Sequence, residues 1–466
     1  MEETYKRKLI STKHLLLLTI PIFVELFLQL VVGYSDQFMI KKMTEPTVGD
    51  NAVNGITNAS VVINMVITSF QVLSAASIIL ISQYRGARDQ KNLNKVYSTA
   101  FYFNLITGAI FSLIILFFSR FYLHWINTPD AAYQDALIYS MIAGGTVVFQ
   151  LLSTTLSSFL KANNNMKSSM VITIIVNLLN IVGNYIFISV FKSTHPIIGV
   201  ALSSALSRLI GFVLMLIIFI KNIKVKLSFK EFLNSKKMLK KIIQVGGPSG
   251  GESVSYQSSQ IIIQIVINGI VMAEANKAFG IGIGNIKTYA AIFAMVTYMF
   301  TSAVSQAMQV VIGELMGARE MEATKKTVIK TTIMALIVSE LIATIFFLTS
   351  DFLFGLFDVT DPALLQIGKK IMLIEIALEL GRAINIVMVR TLQTSGDVMF
   401  PTILAIIFCW AVAVGGSFLF GYPKESGISM GLAGVWLAMA IDECARAVIF
   451  MIRFAHGKWQ KFNLTA

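Results

Sequence analysis

Residues 82–92 read SQYRGARDQKN, and residues 313–323 read GELMGAREMEA. Gly-Ala-Arg followed by an acid therefore occurs twice, at Gly86-Ala87-Arg88-Asp89 and Gly317-Ala318-Arg319-Glu320, 231 residues apart and each time after a long apolar run. Three shared letters carry little weight alone. The fold is decided by whether other landmarks keep the same spacing, and they do. Pro21 and Glu25 in TIPIFVE match Pro248 and Glu252 in QVGGPSGGE at a shift of 227, and Gly199 in GVALSSALSRLIGF matches Gly434 in GVWLAMAIDECARA at a shift of 235. Landmarks in one order with small drift indicate an internal duplication. The expected halves are residues 1–225 and 242–466, joined by a basic linker over 226–241.

The chain has 466 residues, 55 % of them hydrophobic and 14 % charged, against about 25 % charged in ordinary soluble domains. With a mean hydropathy of +0.73, it reads as an all-α polytopic membrane protein. Each apolar run is long enough to cross a hydrocarbon core of about 30 Å as a helix. The short alternating segments of a transmembrane barrel are missing from the pattern. Twelve spans are expected, at 15–39, 53–82, 97–119, 135–159, 168–190, 197–220, 242–270, 286–312, 328–350, 366–390, 402–420 and 430–453. The basic N-terminal flank lacks a small-residue cleavage signal and leads into a retained first helix rather than a signal peptide.

An even number of spans puts both termini on one side. With the termini inside, 26 Lys and Arg fall in inner segments, nine in outer ones and three within spans. The positive-inside tendency therefore predicts cytoplasmic termini and a multi-pass protein of the cell membrane. Cations lying mostly in the links explain the net charge of +13 without a nucleic-acid partner. The most basic stretch, KNIKVKLSFKEFLNSKKMLKK, then lies near anionic lipid. Cys409 and Cys444 lie inside apolar runs and read as buried thiols, not a disulfide framework. Six helices per half is an even number, so both halves enter the membrane in the same direction, related by a pseudo-two-fold along the membrane normal. Two such six-helix bundles are suited to alternating access around a midplane site. The pattern contains no P-loop and no dinucleotide fingerprint, so the expectation is a non-enzymatic carrier without cofactor, monomeric and driven by an ion gradient or by a partner protein.

Ionisable residues inside spans are costly, and each needs a reason. Helix one carries Glu25, Gln29 and Asp36 near one face. Asp36 is either a site for a coupling cation or cationic substrate, or a polar cap beside Lys41 and Lys42. Glu25 is either a coupling acid or a hydrogen-bonded tie to a neighbouring helix. Helix seven supplies Glu252, Tyr256, Ser259 and Gln260 on one side, with Glu252 in a cation site or, like its repeat mate Glu25, structural. Helix ten places Glu375, Glu379, Arg382 and Asn385 on a broad face. Glu379 and Arg382, three apart, are expected to neutralise each other, leaving Glu375 as the less compensated acid and, with Glu252, a possible Na+ ligand. Asn177, Asn180 and Asn184 share a face of helix five and either line a cavity or tie helices together, and Asn385 is a further cavity-lining candidate. In helix twelve a structural Glu443–Arg446 pair is expected, with Asp442 unassigned.

IPIFVELFLQLVVGYSDQFMI, SQYRGARD, GGPSGGE and ELGRAINIVMVRTLQTSGDVMFP together resemble the multidrug and toxic compound extrusion family, over about residues 10–455 and most closely its bacterial branch. The resemblance implies a two-lobed, V-shaped fold and export of organic cations, including cationic amphipathic dyes and drugs, in exchange for inward Na+ or H+. Asp36 matches the family's helix-one acid, and Glu375 or Glu379 falls where the Na+-linked branch carries helix-ten acids. The family's helix-seven acid stands eight residues after the proline. Here that position is Tyr256, with Glu252 one turn earlier, a departure that weakens Na+ ligation in helix seven. The alternative within the wider superfamily is a flippase for lipids or lipid-linked oligosaccharides, which commonly has a basic cavity and more than twelve spans. The mainly acidic intramembrane charge favours a cationic passenger.

Overall fold

The computed structural model describes residues 11–126, 128–191, 195–223, 225–273, 282–422, 430–462 and 464–465. Lys6, Arg7, Lys8, Lys192, Lys224, Lys277 and Lys424, used above to orient the chain, lie outside these residues. The described residues form helices and no strand. Each of the twelve expected spans falls on a long helical segment. They are α1 (Thr12–Met43), α2 (Pro46–Gly86), α3 (Gln90–Trp125), the pair α4 (Asp130–Tyr139) and α5 (Val147–Ala162), α6 (Met166–Phe191) and α7 (Pro196–Ile223). After the short α8 (Phe229–Asn234) come α9 (Lys236–Met272), α10 (Gly282–Gly317) and α11 (Met321–Leu348). The short α12 (Ser350–Gly355) precedes α13 (Pro362–Ser395), α14 (Met399–Phe408), which continues through π-helical turns to Gly421, and α15 (Leu432–Ala455).

Among the described residues, eight helices are long and apolar enough to cross a membrane by themselves, and the α4–α5 pair, bent by 44°, makes a ninth. The other three long helices, α9, α13 and α15, carry the polar and charged side chains singled out above. Their length suits a span, but their composition fits one only if those groups face protein or water. Phe117, Phe121 and Trp125 of α3 are more than 70 % exposed, as expected of side chains meeting lipid rather than water.

The duplication is visible in the turns. Arg88 (φ 57°), Asn164 (φ 60°), Arg319 (φ 60°) and Gly396 (φ 106°) are left-handed and follow α2, α5, α10 and α13. The next residue in each case donates its N–H back five residues: Asp89 to Tyr84 O at 3.0 Å, Asn165 to Leu160 O at 2.9 Å, Glu320 to Leu315 O at 2.8 Å and Asp397 to Leu392 O at 3.0 Å. This is the hydrogen bond that closes a helix by a Schellman-type turn. Gly86 and Gly317 end their helices, and the reversal itself is made by Arg88 and Arg319. Asp89 then caps α3 by accepting from the N–H of Asn92 at 3.1 Å, and Arg85 Nη1 donates to Ala162 O at 2.7 Å.

The Gly199–Gly434 correspondence has a steric cause. A Cβ on Gly199 would lie 2.6 Å from Ile188 N, and one on Gly434 would lie 2.3 Å from Phe420 O. Both glycines let the last helix of a half approach the backbone of the preceding segment. The molecule divides into two compact units, Ile20–Gly247 and Pro248–Ala466, the latter with the segment ending at Thr19. They are called the N-unit and C-unit below. The division falls inside α1 and α9, beside Pro21 and Pro248, and residues 236–241 of the basic stretch are the first turns of α9. The N-unit has an apolar centre that includes Ile56, Ile63, Phe70, Ile115 and Val200. The C-unit has two such centres, one around Phe293, Phe354 and Val435 and one around Met308, Leu392 and Phe450.

Candidate functional site

In the N-unit, α1, α6 and α7 bring together side chains that are distant in sequence. Asp36 is 6 % exposed. Asn184 Nδ2 donates to its Oδ1 at 2.7 Å and Ser204 Oγ to its Oδ2 at 3.0 Å. Asn180 Nδ2 in turn donates to Ser204 Oγ at 3.3 Å, and Ser203 Oγ fixes the Asn180 carbonyl at 2.8 Å. Arg208, one turn beyond Ser204, donates instead to Ala143 O at 2.7 Å, at the π-helical bend between α4 and α5. Asp36 is thus held by neutral donors, and among the described residues it forms no ion pair. Oδ1 of Asn180, Oδ1 of Asn184 and Nδ2 of Asn177 are buried without a partner there. A carboxylate ringed by spare amide oxygens can accept a proton or a small cation without displacing a resident charge.

Glu25, on the same helix, is placed differently. It is 4 % exposed. Lys161 Nζ lies 2.9 Å from Oε1, Ser169 Oγ donates to Oε2 at 3.1 Å, and Ser157 Oγ donates to Oε1 at 3.3 Å. Both carboxylate oxygens are satisfied across three helices, so the geometry matches the structural alternative for Glu25. Gln29 is exposed and forms no hydrogen bond among the described residues.

The C-unit does not copy this pairing. Glu252, the repeat mate of Glu25, is half-buried and accepts only a long hydrogen bond, 3.5 Å from Thr402 Oγ1. No ion pair forms at Glu252 among the described residues. Tyr256 is 52 % exposed, and Gln260 is half-buried with no side-chain hydrogen bond among the described residues. Nearby on α9, Ser255 Oγ accepts from Trp410 Nε1 at 2.9 Å.

Further into the C-unit, α13 and α15 share a network. Arg382 contacts Glu379 Oε1 directly and lies 3.1 Å from Glu375 Oε1. Trp436 Nε1 donates to the other oxygen of Glu375 at 2.8 Å. The expectation that Glu375 is the less compensated acid is therefore corrected. Two helical turns carry it within reach of Arg382, and Trp436 from α15 takes its remaining oxygen. Asn385 Nδ2 donates to Glu443 Oε2, so it ties two helices together. Arg446 serves both acids of α15, with Nε 3.1 Å from Asp442 Oδ1 and Nη2 3.0 Å from Glu443 Oε1. Asp442, unassigned from the sequence, is thus half of an ion pair. Among the described residues no three of His, Cys, Asp and Glu form a metal-binding group.

Several partners were not legible in advance. The sequence pattern singles out none of Lys161, Ser204, Thr402 and Trp436 as a partner of these acids. The only sequence signal for Ser204 is its position one turn before Arg208 in the duplicated GVALSSALSRLIGF.

The model of the MatE family matches this chain twice, over residues 21–186 and 248–418, with the two matches starting at Pro21 and Pro248. An uncharacterized transporter of Bacillus subtilis, YisQ, is 30% identical over 453 residues, spanning 96% of this chain and 95% of the relative. The probable multidrug resistance protein NorM of Thermotoga maritima is 22% identical over 453 residues, spanning 96% and 93%. Among solved structures, a MATE protein in the bent conformation aligns with a TM-score of 0.84 at 18% identity, covering 98% of both chains. A Pyrococcus furiosus transporter of the MOP superfamily, described as having a binding pocket of reverse polarity, aligns with a TM-score of 0.81 at 19% identity, again covering 98% of both chains. The fold is theirs, and the chain itself belongs to the MatE family of membrane transporters, a family of carriers rather than enzymes.

Proposed function

We propose that the protein is a secondary antiporter that exports organic cations in exchange for Na+ or H+, working as a monomer in the cell membrane with both termini in the cytoplasm. The observation that carries this reading is Asp36: a buried carboxylate held by Asn184 and Ser204, with no ion pair among the described residues. One negative charge in a low-dielectric setting holds one monovalent cation well and two poorly. A proton or Na+ arriving at Asp36 therefore weakens the hold on a cationic passenger, and by linkage the passenger weakens the hold on the ion by the same factor. Alternating exposure of such a site converts that competition into exchange. Glu252 is the second acid proposed to take part, since among the described residues it forms no ion pair and accepts one long hydrogen bond, from Thr402 Oγ1. The probable multidrug resistance proteins among the relatives support a drug-like passenger.

The test is ethidium export by oriented proteoliposomes with the membrane potential clamped, first under a Na+ gradient at fixed pH and then under a pH gradient without Na+. Export under either gradient is expected, lost on Asp36→Asn. Under neither gradient, with the protein folded and inserted, the cation-exchange reading fails and the flippase reading takes its place.

A further inference from the structure

The acids of α1, α9, α13 and α15 fall into two groups. Asp36 and Glu252 form no ion pair among the described residues. The others do: Lys161 sits on Glu25, Arg446 on Asp442 and Glu443, and Arg382 on both Glu375 and Glu379. Arg382 differs from the rest in what its removal would expose. Its guanidinium lies between Glu375 Oε1 and Glu379 Oε1, while Glu379 is 0 % exposed and its Oε2 has no hydrogen-bond partner. Without Arg382, two carboxylates would face one another with a spare buried oxygen, a ligand set suited to a hard monovalent cation.

We infer that Arg382 is a specificity-determining residue of the C-unit: its guanidinium is a resident counter-cation that fills the place between Glu375 and Glu379 and bars Na+ from it. The physical case is competition between a tethered and a free cation. A covalently attached group acts at an effective concentration of about millimolar or more. A guanidinium is also more weakly hydrated than a compact ion and matches carboxylates with a rigid fork of donors. Na+ must shed its water to enter, and it would leave the arginine buried and unpaired, a loss of several kcal/mol. Trp436 Nε1 strengthens the bar by occupying Glu375 Oε2. The helix-ten acids are then closed to Na+, and ion exchange is left to Asp36 and Glu252. This assignment of the exchange acids rests on the antiport reading; the occupancy of the Glu375–Glu379 site does not.

Equilibrium binding of radioactive Na+ to the full chain in nanodiscs tests it. The native protein and Glu375→Gln are expected to bind the same amount of Na+. Arg382→Gln should gain a saturable Na+ signal at least about tenfold tighter than any Glu375-dependent signal in the native chain, and adding Glu375→Gln should remove it. Arg382→Lys, which keeps a cation there, should behave as native. An arginine with only a structural role would lower thermal stability on substitution without creating a Na+ site. A native Na+ signal that Glu375→Gln removes, or a folded Arg382→Gln chain that gains none, overturns the inference. If Arg382→Gln does not fold, the native comparison with Glu375→Gln decides by itself. Dye export by the native chain, measured on the same preparation, separates failure of the transport reading from failure of this one.

Discussion

Asp36 and Glu25 stand eleven residues apart on one helix and illustrate how a buried acid's partners decide its role. Neutral donors hold Asp36, and Lys161 pairs with Glu25 at 2.9 Å. Substituting them should therefore damage different properties. Asp36→Asn keeps the hydrogen-bonding shape and removes the charge, so it is expected to leave the thermal unfolding profile nearly native while cutting dye export at least about tenfold. Glu25→Gln instead strands the Lys161 charge in a buried site, which costs about 3–5 kcal/mol. Its expected signature is a lowered unfolding temperature, largely restored when Lys161→Met is added. Equal stability loss in both variants would remove the distinction. Nothing within α1 announces this difference. The local neighbours, Val24 and Leu26 at Glu25 and Ser35 and Gln37 at Asp36, do not tell the two roles apart, and the groups that separate them lie 136 and 148 residues further along the chain.

At the scale of elements, the two halves repeat their joints more faithfully than their side chains. Four left-handed residues close four helices by the same backbone hydrogen bond. Gly199 and Gly434 each leave room for a neighbouring backbone less than 3 Å from where a Cβ would stand. Gly199→Ala and Gly434→Ala should each destabilise their own unit by about 1–3 kcal/mol, because the obstruction is main chain that cannot rotate away. The control is Gly251→Ala, where a Cβ meets nothing within 4 Å and helix propensity even favours Ala by about 1 kcal/mol. A thermal shift no larger at Gly434 than at Gly251 would contradict the packing account. The glycine spacing was legible as a repeat, whereas its steric cause needed the neighbouring segment. The Gly-Ala-Arg segment was legible as a repeat, but the left-handed conformation of Arg88 and Arg319 was not.

For the whole molecule, orientation is the property that charge distribution predicts most directly. In a chain with Cys409 and Cys444 replaced by Ser, Thr465→Cys and Asn234→Cys should react with a membrane-impermeant maleimide only after the cells are opened. Lys42→Cys should react in intact cells. The reverse pattern would invert the topology and, with it, the direction of the proposed exchange. The polar and charged content of α9, α13 and α15 belongs to the same scale. These are the long helices that fail an apolar test, and they carry Glu252, the Glu375–Arg382–Glu379 cluster and the Asp442–Glu443–Arg446 cluster. A carrier needs polar surface within the membrane, and such surface lowers the hydropathy of the helices that line it.

The sequence by itself determined the helical class, the places of the long helices, the duplication and the family. These follow from the length of apolar runs and from spacings along one chain, and a span of about 20 residues needs no distant partner to be recognised. Tertiary structure alone decided which acids are free. Glu375 looked open because spacing along a helix registers a neighbour three residues away more readily than one seven away, and it registers Trp436, 61 residues on, not at all. A buried charge is defined by what fills its last hydrogen-bonding position, and in this protein that group repeatedly comes from another helix.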